Sequence, residues 1–193
     1  LYLQALYRVS AADFEGAASY AERAAAVDPK RPEVYSVLAH AYRRTNRTQE
    51  AIAALAGLDP LTRSDFPPIL LAHAEMLFSE GDLEGGKAVV AEYQADFPEH
   101  RIVRDYFQGR IALLENRPDE AVKILQIVYR DQPAFTPAHY FLGLAYLAAG
   151  QRDAARETFD LYLRQHPEDQ MARAVMAQEF GRFQDLQTLI EVA

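Results

Sequence analysis

A spacing of small residues recurs six times along this 193-residue chain. In each set, a small residue is followed twelve positions later by a small or apolar residue, and four positions after that by another. The sets are Ala5/Ala17/Ala21, Ala39/Ala51/Leu55, Ala74/Gly86/Val90, Gly109/Ala121/Leu125, Gly143/Ala155/Phe159 and Ala174/Leu186/Ile190. They follow one another at steps of 34, 35, 35, 34 and 31 residues. Self-similarity at this period predicts an all-α stack of helix–turn–helix repeats.

Each repeat is predicted to contain two antiparallel helices. The first small residue lies midway along the first helix and the second lies early in the second helix, where small side chains let the two axes approach closely. The third residue of each set faces the same side as the second and adds to one buried seam. Turn signals separate the two helices at Gly81-Asp82, Asn116-Arg117-Pro118, Gly150-Gln151 and Gly181-Arg182.

Repeat 5 resembles a tetratricopeptide repeat. It reads His139-Tyr-Phe-Leu-Gly143-Leu-Ala-Tyr146, followed by Ala155, Phe159 and Pro167. The family pattern is W-x2-L-G-x2-Y…A-x3-F…P, and only the Trp position, filled here by His139, departs from it. The other repeats match more loosely, but together they cover essentially the whole chain. The resemblance implies a right-handed superhelical α-solenoid of antiparallel helix pairs, with one domain over 1–193 and repeats at about 1–31, 32–66, 67–101, 102–135, 136–169 and 170–193.

The junction after repeat 2 differs from the others. Three prolines and a Ser-Asp pair between Pro60 and Pro68 exclude a regular helix there. One interpretation is a lengthened loop between repeats. The alternative is a hinge over residues 59–68.

In proteins of this family the first helices line a concave groove, and ligand-facing positions lie one, five and eight residues after the Trp position. Carried onto this sequence, the resemblance implies a binding surface for a protein or peptide. Its residues are Tyr2, Leu6, His40, Arg43, Leu71, Glu75, Phe78, Tyr106, Arg110, Leu113, Tyr140, Leu144, Leu147, Met171 and Val175. Most are apolar or aromatic, so the groove is expected to hold an amphipathic helix or an extended apolar segment.

Other interpretations of these positions stay open. In a tightly wound solenoid the same residues pack between adjacent first helices. The basic group of Arg43, Arg44 and Arg47, or that of Arg104 and Arg110, either binds an acidic ligand or is solvated. The carboxylate clamp with which some family members hold acidic chaperone tails is missing, because no Lys or Asn occupies the implied positions.

Composition narrows the set of partners. A formal net charge of −8 disfavours nucleic acid and anionic membrane surfaces. The absence of cysteine excludes disulfides and thiolate metal sites, and it fits either the cytoplasm or the periplasm. No run of about 18 apolar residues is present, so no membrane insertion is predicted. The chain begins at Leu1 within a predicted helix, and it is interpreted as a fragment or the ordered part of a longer protein.

No catalytic, metal or cofactor site is predicted. The motifs H-E-x-x-H and G-x-S-x-G and a phosphate-binding glycine loop are absent. The five histidines include no pair at the i, i+4 spacing of a helical metal site. His73 and His139 fall in packing positions and are expected to be buried.

The leading hypothesis is a non-enzymatic scaffold that binds a protein partner. One alternative is a regulatory or adaptor region of a larger bacterial enzyme or polysaccharide-export or secretion protein. Another is a structural protein that self-associates, because the amphipathic helix predicted near 183–192 has no polar cap after it. The composition, rich in alanine and with arginine favoured over lysine, is typical of bacteria.

Overall fold

The computed structural model describes residues 1–59 and 66–191, and for 182–191 it describes the backbone alone. Within these ranges the chain forms eleven α-helices and no strand. They are α1 (Tyr2–Ser10), α2 (Phe14–Val27), α3 (Pro32–Arg44), α4 (Thr48–Ala56), α5 (Pro67–Ser79), α6 (Leu83–Asp96), α7 (Arg101–Leu114), α8 (Pro118–Asp131), α9 (Pro137–Ala148), α10 (Arg152–Gln165) and α11 (Gln170–Glu191). None of the helices in the described ranges combines the length and apolar composition that crossing a bilayer requires.

The helices pack in the order of a repeat array. The pairs α1–α2, α3–α4, α5–α6, α7–α8 and α9–α10 each form one repeat. The second helix of a repeat also contacts the first helix of the next, as in α2–α3 and α8–α9, and first helices contact one another in α1–α3 and α7–α9. The predicted α-solenoid of helix pairs is therefore confirmed.

The chain divides into two compact units, which we call the N-terminal unit (Leu1–Glu99) and the C-terminal unit (His100–Ala193). The hinge predicted over 59–68 falls mainly on residues 60–65, which lie outside the described residues, and it stays a prediction. On either side of this segment α4 and α5 pack together. Leu55 and Leu58 share one hydrophobic cluster with Ile69 and Met76.

The small positions of repeats 1 to 5 lie at the helix–helix contacts, as predicted. Ala17, Ala21 and Ala155 have no exposed surface. A Cβ added at Gly143 would lie 2.8 Å from Cε2 of Phe159, and one at Gly109 would lie 2.5 Å from Cγ of Leu125. Both distances are shorter than a van der Waals contact, so glycine is what allows these large side chains to fill the space between the two helices.

The five turns within repeats share one conformation. Each contains a residue with positive φ, and these residues are Ala12, Asn46, Gly81, Asn116 and Gly150. The next amide bonds the carbonyl oxygen five residues back, as from Asp13 to Arg8 at 2.9 Å and from Gln151 to Tyr146 at 2.8 Å. This is the Schellman ending of an α-helix, which satisfies carbonyl groups that the helix itself leaves unpaired. The turns predicted at residues 81, 116 and 150 are confirmed.

The turn predicted at Gly181-Arg182 is not formed. Instead α11 continues as a single helix from Gln170 to Glu191, and Gly181 keeps a negative φ. The residue 34 positions after Gly150 is Gln184, which does not favour the left-handed conformation as Gly or Asn does. Repeat 6 therefore has no second helix in the described residues, and Ala174 is exposed. The side chains of the helix predicted near 183–192 lie outside the described residues.

Replacing Ala12 by glycine is expected to stabilise the N-terminal unit by about 1 kcal/mol. The φ of Ala12 is +57°, a conformation that costs an L-residue about 1–2 kcal/mol and costs glycine almost nothing. Urea denaturation followed by circular dichroism would measure the gain. The control is Ala11→Gly, because Ala11 has a φ of −87° and glycine there should be neutral or destabilising. Equal effects of the two substitutions would contradict this explanation.

Candidate functional site

All fifteen residues that the resemblance implies lie on first helices of the repeats, α1, α3, α5, α7, α9 and α11. Twelve of them are at least partly exposed, and three are buried. The three buried residues are Phe78, Tyr106 and Arg110, exposed by 4%, 3% and 7%. These three do not line an open surface, and the physical reason differs between the two compact units.

Phe78 is buried because of a glycine on the paired helix. Its ring lies directly over Gly86 of α6, so close that a Cβ on that residue would overlap the ring edge. The sequence had assigned Gly86 to a small packing position but had not connected it with Phe78. The space that the glycine leaves on α6 is filled by the phenylalanine of α5, which makes Phe78 part of the core.

Tyr106 and Arg110 belong to an aromatic cluster in the C-terminal unit. The Tyr106 ring packs against Phe135 and Phe141, with centroids 5.1 and 5.8 Å apart. The Arg110 guanidinium carbon lies 4.1 Å from the centroid of the Phe141 ring, which is cation–π geometry. Stacking of this kind accommodates an arginine among aromatic rings, so Arg110 acts first as a packing residue of this cluster.

The face of α1 and α3 in the N-terminal unit is only partly open. The guanidinium of Arg31 covers the Tyr2 ring at 4.3 Å, and His40 packs edge-on against Phe14 with ring centroids 5.7 Å apart. Burial lowers the pKa of His40, and the charges of the neighbouring arginines at 43 and 44 lower it further, so its imidazole is neutral at pH 7. Arg43 remains exposed at the rim of this face.

In the C-terminal unit, partly exposed apolar residues lie on α9 and α11. Tyr140, Leu144 and Leu147 are partly exposed on α9, as is Val175 on α11, and Met171 is exposed by 71%. We call these five residues the α9–α11 patch. On α9 they are spaced by four and three residues, and on α11 by four, so each set lies on one side of its helix.

A hydrogen-bonded link joins the two halves of this patch. The Tyr140 ring contacts that of Tyr162 on α10, with centroids 5.7 Å apart. The Tyr162 hydroxyl donates to Oδ2 of Asp169 at 2.7 Å. Asp169 Oδ1 accepts in turn from the backbone N–H groups of Met171 at 2.9 Å and Ala172 at 3.0 Å, which start α11. The first turn of α11 is thereby fixed relative to Tyr140.

The pKa values of Tyr162 and Asp169 are shifted in the directions that preserve the hydrogen bond between them at neutral pH. Burial raises the pKa of Tyr162, and the hydrogen bond to Asp169 raises it further. Burial opposes ionisation of Asp169, but the hydrogen bonds from Ala172, Tyr162 and Met171 outweigh it and lower the pKa of the carboxyl group. At neutral pH a phenol therefore donates to a carboxylate, the stronger form of such a bond.

Sequence reasoning missed Tyr162 and its bond to Asp169, although Asp169 is expected from the sequence at a helix start. Counted by the repeat period, the position of Tyr162 holds Ala24 in repeat 1, Leu58 in repeat 2, Tyr93 in repeat 3 and Val128 in repeat 4. Because the residue there varies from alanine to tyrosine, the repeat pattern alone gave no signal for the link.

Arg47, His73 and His139 take part in packing and ion pairs. Arg47 pairs with Glu50 and lies 3.5 Å from Glu22, and its guanidinium covers the Tyr42 ring at 4.3 Å. His73 and His139 are exposed by 5% and 3%, as their packing positions predicted. Among the described residues, no group of three His, Asp or Glu side chains lies close enough to hold a metal ion.

Comparison with known proteins gives one consistent result. A family model described as tetratricopeptide repeat matches residues 8–76 and 112–179. TTC0263, a thermophilic TPR protein of Thermus thermophilus, aligns with a TM-score of 0.71 at 18% identity over 92% of this chain and 96% of its own. A chain of the APC/C hetero-tetramer Cut9-Hcn1 aligns with a TM-score of 0.74 at 16% identity, over 92% of this chain and 35% of its own.

A third solved structure is YrrB, described as a TPR protein with an unusual peptide-binding site. It aligns with a TM-score of 0.52 at 17% identity, over 89% of this chain and 87% of its own. At these identities the three structures establish the fold. The search of curated proteins gives no significant match.

Proposed function

The chain belongs to the tetratricopeptide repeat family, and from this premise we propose that it binds an amphipathic helix or extended apolar segment of a partner protein on its first helices. Proteins of this family are interaction scaffolds that bind proteins or peptides, and members and fold neighbours are typically not enzymes. The general function is therefore that of a protein-interaction scaffold. The surface and the chemistry of the partner are our proposal.

The observation that carries the proposal is the α9–α11 patch. Its five residues are apolar or aromatic and partly exposed, and Met171 extends well into solvent. Exposed apolar surface often marks an interaction site, and Tyr and Met are enriched in such sites. The hydrogen-bonded link through Tyr162 and Asp169 supports the proposal, because a surface whose helices are already fixed loses less conformational freedom when the partner binds.

Partly exposed residues of the other first helices offer further contacts within each compact unit. Leu113 on α7 is partly exposed in the C-terminal unit, as are Leu71 and Glu75 on α5 in the N-terminal unit. At the rim of α3, the exposed Arg43 offers a guanidinium to a carboxylate of the partner, beside a neutral His40. Leu6 and Tyr2 complete the set on α1. In the N-terminal unit, a segment that is apolar along one side and carries an acidic residue fits Arg43 and these partly exposed residues.

We expect Met171→Glu to weaken partner binding by tenfold or more while leaving the fold intact. Placing a charge within an apolar contact costs about 2 kcal/mol or more. Met171 is exposed by 71%, so in the free protein the glutamate stays in water and leaves the fold undisturbed. A displayed library of random peptides would be selected on the native chain, and the binders would then be titrated against the variant by fluorescence anisotropy.

The matched control is Leu161→Glu, which adds the same charge to an exposed leucine of α10 outside the patch. Selected peptides should carry apolar residues at helical or alternating spacing. Peptides that are mainly polar, or that bind Met171→Glu as tightly as the native chain, would refute the proposed surface.

A further inference from the structure

A histidine is buried inside repeat 5, where a charged ring is costly. His139 of α9 is exposed by 3%, and its ring packs edge-on against that of Tyr129 of α8, with centroids 4.7 Å apart. Both ring nitrogens are shut off from solvent, and among the described residues neither closes a hydrogen bond of normal geometry. Such a site accepts a neutral imidazole and penalises an imidazolium ion.

The polar groups near His139 stabilise its charged form too little. Burial lowers the pKa of the imidazole, the backbone of Pro133 opposes this change, and the positive charge of a protonated His166 adds to it. His166 ends α10, with its ring 4.8 Å from that of Tyr162, and its Nδ1 lies 3.8 Å from a carboxylate oxygen of Glu168. A second positive charge beside His139 makes its protonation harder still.

The side chains on the other helices that pack against α9 do not compensate for a positive ring. Tyr129 of α8 presents its aromatic ring. Arg110 of α7 is itself a cation, and together with Asp169 it acts on the neighbouring Tyr140. The Asp169 carboxylate already accepts from the Tyr162 hydroxyl and from the start of α11.

The equivalent position of repeat 4 shows what a charged residue needs there. It holds Asp105, whose side chain is 15% exposed and pairs with Arg104 at 2.9 Å and with Arg101 at 3.6 Å. In repeat 3 the position holds Leu70, which is fully buried. Within the described ranges, His139 combines the burial of the leucine with none of the ion pairs of the aspartate.

We propose that protonation of His139 opens repeat 5 at mildly acidic pH, and that the α9–α11 patch then releases its partner. The opening stands on the burial of this histidine alone, whereas the release rests on the proposed function. A protonated ring gains hydration by leaving its contact with α8, and α9 must move for it to do so. Tyr140, Leu144 and Leu147 of the patch lie on that helix and move with it.

Mild acid shifts the folded repeat toward the open form. An exposed histidine has a pKa of about 6.5, and the pKa of His139 in the folded repeat is lower. The open form therefore binds the proton more readily, so stability is fully present above about pH 7 and is lost as the pH falls from about 6.5 toward the folded pKa. At about pH 5.5 one such histidine favours opening by at most about tenfold. Asp169 stays ionised in this range, because its pKa is lowered from 3.8.

The test is amide hydrogen exchange of the 193-residue chain at about pH 7.5 and about pH 5.5. Protection factors remove the intrinsic pH dependence of exchange, and those of α8 and α9 should fall severalfold at the lower pH. His139→Phe keeps an aromatic ring where the family pattern has Trp but cannot take up a proton, so it should lose most of this response. His166→Gln removes the neighbouring charge, and its response should lie between the two.

The matched control is His100→Phe, which makes the same substitution at a partly exposed histidine before α7 in the same unit. It should respond as the native chain does. Peptides selected on the native chain at about pH 7.5 should bind it severalfold more weakly at about pH 5.5, and this difference should largely vanish in His139→Phe.

Unchanged protection of α8 and α9 in the native chain would overturn the proposal, as would equal responses of the native chain and His139→Phe. Protection that falls while peptide binding stays constant would overturn the release. A selection that yields no binding peptide would refute the proposed binding surface, and the exchange measurement would still decide whether repeat 5 opens.

Discussion

Replacing Phe159 by alanine is expected to lower the free energy of unfolding by about 3–5 kcal/mol, the range found for large aromatic residues in protein cores. Phe159 is fully buried in α10, where its ring lies over Gly143 of α9 and 5.9 Å from the centroid of the Tyr140 ring. Alanine would leave a cavity between the two helices of repeat 5. In a repeat array this loss also weakens the packing of adjacent repeats, because each one is stabilised by its neighbours.

The contact between Gly143 and Phe159 also predicts how substitutions at the two positions combine. Gly143→Ala alone should destabilise by about 1–3 kcal/mol, because the new methyl group would lie 2.8 Å from the Phe159 ring. Combined with Phe159→Ala, the same change should cost much less, since the methyl group then enters the cavity. The two substitutions should therefore be strongly non-additive, as expected for residues in direct contact.

Urea denaturation followed by circular dichroism would measure all three variants, and Leu161→Ala on the same helix is the control. Leu161 is 39% exposed, so its truncation should cost less than about 1 kcal/mol. Additive effects of the two substitutions at 143 and 159 would contradict the packing that the structure assigns to Gly143. A cost for Phe159→Ala no larger than that of the control would contradict its place in the core.

The contact between residues 143 and 159 also explains why the fold was predictable from the sequence. Helices in this array approach closely only where one side chain is small, so residues such as Gly143 and Ala155 must recur at the repeat period. The left-handed residue of each turn recurs at that period too, and it is Gly or Asn at four of the five turns. Three of these, at residues 81, 116 and 150, were predicted from the sequence. Ala12 gave no such signal, because alanine does not favour this conformation.

The repeat period gives a wrong prediction in repeat 6, where the hydrophobic spacing is kept but the residue that would allow the turn is not. Leu186 and Ile190 preserve the spacing of repeat 6, but a helix folds back only where the backbone can turn. Glycine at 181 lies three residues before the position that the period requires, and α11 continues through it.

Burial at the candidate site could not be predicted from the period alone. The repeat register predicts on which side of a helix Phe78 or Tyr106 lies, but not what covers that side. Phe78 is buried because Gly86 leaves room for its ring, and Tyr106 because Phe135 and Phe141 surround it. Those neighbours come from other helices and, for Phe135, from the loop between α8 and α9, and their side-chain sizes are not fixed by the repeat pattern.

Asp169→Ala is expected to release the start of α11 at a cost of about 2–4 kcal/mol. The substitution removes an N-cap that accepts from two backbone N–H groups, and it leaves the Tyr162 hydroxyl without its acceptor. Amide hydrogen exchange over residues 172–180 should then become about 30- to 700-fold faster, since each 1.4 kcal/mol corresponds to a factor of ten. Because Met171 and Val175 lie on this helix, selected peptides should also bind more weakly.

Tyr162→Phe is the matched control for this loss, because it removes the phenol but leaves the cap of α11 in place. Its cost should be about 1 kcal/mol, the net value of one hydrogen bond, so exchange in α11 should accelerate only a few-fold. Equal acceleration by the two variants would mean that the side-chain bond, and not the cap, holds the start of the helix. No acceleration by Asp169→Ala would refute the role assigned to this link.

The pH dependence of α11 gives an independent measure of the same carboxylate. Burial alone would raise the pKa of Asp169, but the hydrogen bonds from Ala172, Tyr162 and Met171 lower it below that of the unfolded chain. The unfolded chain therefore binds this proton more readily, so the stabilisation is fully present above about pH 5 and is lost as the pH falls through the folded pKa. Protection factors of α11 should decrease between about pH 5 and pH 3 in the native chain and change much less in Asp169→Asn. An equal decrease in both would mean that other carboxylates determine the acid response of α11, and that Asp169 contributes no charge-dependent stability to the surface on which Met171 lies.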